Sequence, residues 1–156
     1  MMDTNNLNLL GMIGLVGAVM MICGTFMTWI GKPLYLSGWD FFIKWTEILK
    51  IKNTFLPVLD VILGAVIFAL MILPTFCNKD HFRKLNIIFG LTTAVLAAAL
   101  LILSVLFMVK EITVMFFPIR IIDYLDIGFW MTFAGTVAVL IGGFMPLAKN
   151  RRRDSI

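Results

Sequence analysis

LNIIFGLTTAVLAAALLILSVLFMV, residues 85–109, runs for 25 residues without an Asp, Glu, Lys or Arg. An α-helix rises about 1.5 Å per residue, so this stretch alone would reach about 37 Å, more than the roughly 30 Å of hydrocarbon in a bilayer. Three further stretches share its character. Residues 4–31, 61–78 and 127–148 are equally free of charge, in a chain of 156 residues that carries 13 Lys+Arg and 9 Asp+Glu. The second reaches spanning length once it is extended back through Asp60 to Leu56. The pattern predicts an all-α fold, an integral membrane four-helix bundle (a tetraspan) with spans at about 8–30, 55–76, 85–109 and 124–147.

Once four spans are subtracted, two short tails, one tight turn and two moderate loops remain. That is too little for a separate soluble domain, so residues 1–156 read as a single membrane domain. The 61% hydrophobic content and mean hydropathy of +1.00 agree with that reading. The net charge of +4 sits at the ends of spans and matches no DNA- or RNA-binding pattern, so nucleic acid is not an expected partner. The n-region MMDTNNLN has no Lys or Arg, the reverse of a secretory signal, and the first span is expected to be a retained helix.

The CNKDHFRK turn at 77–84 is short enough to force spans two and three into an antiparallel hairpin, with Pro74 and the charges at 79–84 marking the exit. With four spans, both termini and this turn share one side. That side holds Lys79, Arg83, Lys84, Lys149, Arg151, Arg152 and Arg153 at high density. The other holds Lys32, Lys44, Lys50, Lys52, Lys110 and Arg120, diluted over two longer loops. The positive-inside rule therefore expects a multi-pass cell-membrane protein with both termini cytoplasmic and a tail from 148 to 156. Trp29, Trp39, Trp45 and Trp130, with Tyr35 and Tyr124, all fall on the outer side and are expected to form an interfacial aromatic belt.

Ser37-Gly38-Trp39-Asp40 has the spacing of a capping box. Behind it, Phe41, Phe42, Trp45, Ile48 and Leu49 fall on one helical face, and Asp40, Lys44, Glu47 and Lys50 on the other. A short amphipathic interfacial helix over about 38–51 follows. The second outer segment, 110–126, fits either a short extended stretch followed by an early helix start or an irregular loop.

Glycines recur at helical intervals: Gly17, Gly24 and Gly31 in the first span, Gly128, Gly135 and Gly142 in the last, with Gly90 opening a small-residue row in the third. Lipid gives no hydrophobic drive between helices, so such faces mark close backbone packing, inside the bundle or against another subunit. Gly24 is expected to be internal and Gly135 to face a partner. Asp60 is the one charge inside a span and, with Glu111, Arg120, Asp123 and Asp126 at the same membrane level, a candidate polar site. Its place near a helix N-terminus also fits plain capping.

His81 is the sole histidine, and the two cysteines, Cys23 and Cys77, fall at different depths. Neither a metal site, a cofactor site, a disulfide nor a catalytic constellation is expected from them.

Thr25-Phe26-Met27-Thr28-Trp29 followed by Ser37-Gly38-Trp39-Asp40 resembles small uncharacterised four-span prokaryotic, particularly archaeal, membrane proteins with a Phe-x-x-Trp exit and a Ser-Gly-Trp-Asp loop. The resemblance covers about fifteen residues plus the topology and implies no known activity. Claudin-type tetraspans share the topology and an early loop Trp, but this loop lacks their Gly-Leu-Trp run and cysteine pair. The sequence thus leads to a non-enzymatic membrane scaffold or accessory subunit whose partners are the lipid bilayer and other membrane protein subunits or itself. The alternative is a small transporter or an ion- or proton-pathway component using Asp60 and the outer carboxylates.

Overall fold

The computed structural model describes residues 4–32, 35–40, 55–76, 83–109, 111–114 and 117–144. Among them are four long helices: α1 (Thr4–Phe26), α2 (Leu56–Phe76), α3 (Arg83–Met108) and α4 (Ile127–Gly143). Two small antiparallel hairpins accompany them. Strands β1 (Thr28–Ile30) and β2 (Leu36–Ser37) form one, β3 (Glu111–Val114) and β4 (Phe117–Arg120) the other. The fold is mostly helical. Lys84–Met108 is long and apolar enough to cross a membrane; Gly11–Phe26, Leu56–Ile72 and Ile127–Gly143 are shorter apolar helices.

The helices form a ring in which each packs on its chain neighbours and α4 closes onto α1, the most extensive contact. Glycine explains that closeness. A Cβ on Gly135 would lie 2.6 Å from the Gly17 carbonyl oxygen, and one on Gly17 at 2.6 Å from the Gly135 oxygen. One on Gly24 would meet Gly128 O at 2.8 Å, and one on Gly142 would meet Gly14 Cα at 2.7 Å. Only side chains of hydrogen let the two backbones touch here. Gly135 therefore faces α1 and is buried, not turned towards a partner as expected. Gly90 is buried where α3 meets α4, its carbonyl oxygen 3.1 Å from where a Gly143 Cβ would stand.

The first helix ends at Phe26, four residues before the expected end of the span. The chain is drawn out of the helix because its backbone pairs laterally instead. Gly31 N–H donates to Tyr124 O at 2.9 Å and Asp126 N–H to Trp29 O at 2.8 Å, while Ile30 bridges Leu125. With β2 on its other side, β1 is the middle of a small cap that ties the end of α1 to the start of α4. Gly31 belongs to this cap, not to a helical groove, and Asp126 Oδ2 would be 3.1 Å from a Cβ there.

The segment expected to be extended or irregular is the β3–β4 hairpin, followed by a 3-10 turn over Ile121–Tyr124. Helix α4 starts at Ile127 because Asp126 is its cap: the extended Asp126 accepts the Ile127 N–H on Oδ1 at 2.7 Å. In the first loop, Asp40 N–H donates to Ser37 Oγ at 3.0 Å, the first half of a capping box, and the Ser37 hydroxyl donates to the Asp40 carboxylate at 2.9 Å. Residues 38–40 are helical. The rest of the expected interfacial helix, including Trp45, lies outside the described residues, as do the 77–82 turn and the 148–156 tail.

Candidate buried polar site

Trp29 anchors the end of the bundle at which α1 and α3 finish and α4 begins. It is fully buried, its indole N–H donates to Gly24 O at 3.0 Å, and its ring meets Phe129 edge-on at 5.3 Å and Phe107 at 6.0 Å. Phe107 and Phe129 stack at 5.9 Å, so three helix ends converge on one aromatic layer. Trp29 was expected in the interfacial belt; its donor is satisfied inside the protein, so it has no need of the headgroup level. Trp39 and Trp130 are exposed, with Trp39 against Phe26 at 5.7 Å.

One helical turn deeper, the side chains turn polar. Thr25 lies four residues from Trp29, Ser104 three from Phe107 and Thr132 three from Phe129, and all are buried. On α2 the same step inward leads from the buried Leu56 to Asp60, which has no solvent-exposed surface. The level of Asp60 is fixed independently by Gly64, one turn further in, where a Cβ would meet Ile22 Cγ1 at 3.0 Å and Ala18 O at 3.5 Å. Since α1 and α2 are antiparallel, Asp60 stands at the height of Ile22–Thr25. Buried positions 60, 64, 67 and 71 recur at helical spacing, so Asp60 is on the bundle-facing stripe of α2. Each of the four helices thus gives one oxygen-bearing side chain to one layer.

The hydrogen bonding of this layer is uneven. Thr25 Oγ1 donates to Met21 O at 3.0 Å, Ser104 Oγ to Leu100 O at 2.8 Å and Thr132 Oγ1 to Gly128 O at 3.0 Å. Each hydroxyl proton is committed to its own helix, and what remains directed elsewhere is lone pairs. Both carboxylate oxygens of Asp60 are buried without a hydrogen-bond partner, as is Thr93 Oγ1, deeper along α3. Capping does not describe such a group.

The other charges of the expected polar site do not join it. Arg120 and Asp123 are exposed, Asp126 caps α4, and Glu111 stands opposite Arg120 in the register of the β3–β4 hairpin. The hydroxyls of Thr25, Ser104 and Thr132 escape a reading based on charge. Their only signal is that they are hydroxyls in otherwise apolar spans, spaced from aromatic residues by one helical turn. Among the described residues no group of three or more His, Cys, Asp or Glu side chains is placed to hold a metal ion, and Cys23 is a free, exposed thiol. Comparison with protein-family models, curated proteins and solved structures finds no match to this chain.

Proposed function

We propose that the chain is a four-span integral membrane protein that acts as a non-enzymatic scaffold or accessory subunit, docking on another membrane protein. One observation supports the membrane part: the outside of the bundle is as apolar as its core, and polar side chains are found inside. Asp60, Thr25, Thr93, Ser104, Thr132 and Thr136 are inside, while Val16, Ile62, Ile102, Leu106 and Ile141 are among the large apolar side chains outside. In water, an apolar surface of this extent drives association, whereas lipid tails solvate it. Helices of 17 to 26 residues would run about 26–39 Å, bracketing a hydrocarbon core.

The docking face is the outward side of α3. Only a third of the apolar length of this helix is buried, and Thr92 and Ala99 are exposed seven residues apart, low points between Val95, Ile102 and Leu106. The glycine faces are used inside the bundle and are not available for this role. Purification from native membranes in mild detergent should yield a stoichiometric membrane-protein partner. Ala99→Leu should lose that partner at unchanged melting temperature. A chain that purifies alone and monomeric from crosslinked native membranes would overturn the docking role. A second reading, a small transporter or ion-pathway component, is favoured by the unpartnered, fully buried Asp60.

A further inference from the structure

We infer that the layer formed by Asp60, Thr25, Ser104 and Thr132 is a binding site for a single dehydrated monovalent metal cation, with sodium as the fitting probe. This rests on the ion-pathway reading of Asp60 and gives that site its ligand class and its remaining ligating groups.

Three observations lead there. The first is charge. Asp60 is the one ionisable side chain among the buried described residues, so one positive charge makes the layer neutral and a divalent ion would leave an uncompensated charge in an apolar bundle. The second is the direction of the hydrogen bonds. The three hydroxyls spend their protons on the carbonyls of Met21, Leu100 and Gly128, so the layer offers Asp60 oxygen lone pairs and no free hydroxyl proton. A set of acceptors without a donor is the environment of a hard cation, and hydroxyl, carboxylate and carbonyl oxygens are its customary ligands.

The third is spacing. No hydroxyl comes within hydrogen-bond distance of either Asp60 oxygen, though all four groups share one level of the bundle. A proton on Asp60 would leave a buried O–H without an acceptor, at a cost of about 1–3 kcal/mol. A metal ion placed between oxygens holds them further apart than a hydrogen bond does. The aromatic layer of Trp29, Phe107 and Phe129 closes the site from the outer end and removes water from it. Intramembrane coupling ions are held in comparable fashion, by side-chain and backbone oxygens away from bulk water.

The test is thermal unfolding of the purified full chain in detergent at fixed pH and ionic strength, in sodium chloride against choline chloride. Sodium should raise the melting temperature of the wild type by about 2–4 °C, saturably. Asp60→Asn should lose the increment. Ser104→Ala and Thr25→Val serve beside it as folding-competent variants: each should give a cooperative melt in choline and a sodium increment smaller than that of the wild type, measured against its own choline value. Equal melting of the wild type in both salts overturns the site. Melting that follows pH but not sodium assigns the carboxyl to a proton and also overturns it. Sodium flux absent from proteoliposomes, with the increment intact, supports the site and removes only the pathway reading.

Discussion

Gly135→Ala isolates the contact on which the bundle depends most. A methyl carbon at that position would stand 2.6 Å from Gly17 O, 2.9 Å from Met21 N and 3.0 Å from Met20 Cβ. The two nearest atoms are backbone, so no rotamer change relieves them. Ordinary contact begins at 3.4 Å, which means α1 and α4 must part by 3.4 minus 2.6, or about 0.8 Å, at this point. A gap of about 0.5–1 Å forfeits roughly a quarter to a half of each van der Waals well along the affected seam. Overpacking of this kind costs about 1–3 kcal/mol, and the better helix propensity of alanine returns at most about 1 kcal/mol. The net expectation is a loss of about 1–2 kcal/mol.

Gly64→Ala is the internal control. Its nearest neighbour is Ile22 Cγ1 at 3.0 Å, the movable part of a side chain, and the next atoms are at 3.5 and 3.6 Å. That variant should stay within about 0.5 kcal/mol of the wild type. The assay is reversible unfolding in mixed detergent micelles, followed by far-UV circular dichroism. If Gly135→Ala proves as stable as Gly64→Ala, the backbone contact between α1 and α4 is not what holds the bundle.

Other outcomes follow from single side chains. Trp29→Ala should cost about 3–5 kcal/mol, since the ring is fully buried between Phe107 and Phe129, and detergent-solubilised protein should aggregate on mild heating. Trp29→Phe keeps most of the ring contacts and removes one hydrogen bond, leaving Gly24 O with the Met27 N–H at 3.1 Å, and should cost about 0.5–1.5 kcal/mol by the same melting assay. Asp126→Ala removes the cap of α4 and should lower stability by about 1 kcal/mol, with Asp126→Asn restoring most of it. Ser37→Ala should loosen the start of the first-loop helix by about 1 kcal/mol, seen as faster amide exchange at Asp40.

The helices were legible in the sequence because absence of charge is a strong signal, and α2 and α3 begin and end within two residues of expectation wherever the chain is described. The end of α1 was not legible. Thr28-Trp29-Ile30 continues the apolar run, and nothing local reveals that its backbone pairs with residues 124–126, almost a hundred positions away. Trp29 misled for a related reason: a tryptophan near a span end fits the headgroup belt, and only the tertiary fold discloses that Gly24 O satisfies its donor. The seven-residue glycine interval marked a close-packed face but not its neighbour, because an all-apolar helix carries no polar side to say which face is lipid. Asp60 stood out as the single charge inside an expected span. The hydroxyls that share its layer are common in spans and carry no signal until four helices bring them to one height.

The four-span arrangement is the claim on which the rest stands, and labelling from the outside of intact cells tests it most directly. In a background with Cys23 and Cys77 replaced by Ala, Asn53→Cys and Asn150→Cys would each be exposed to a membrane-impermeant maleimide. The account predicts labelling of Asn53→Cys in intact cells, and of Asn150→Cys only after permeabilisation. Labelling of both from outside, of neither until lysis, or recovery of the chain in the soluble fraction would contradict it.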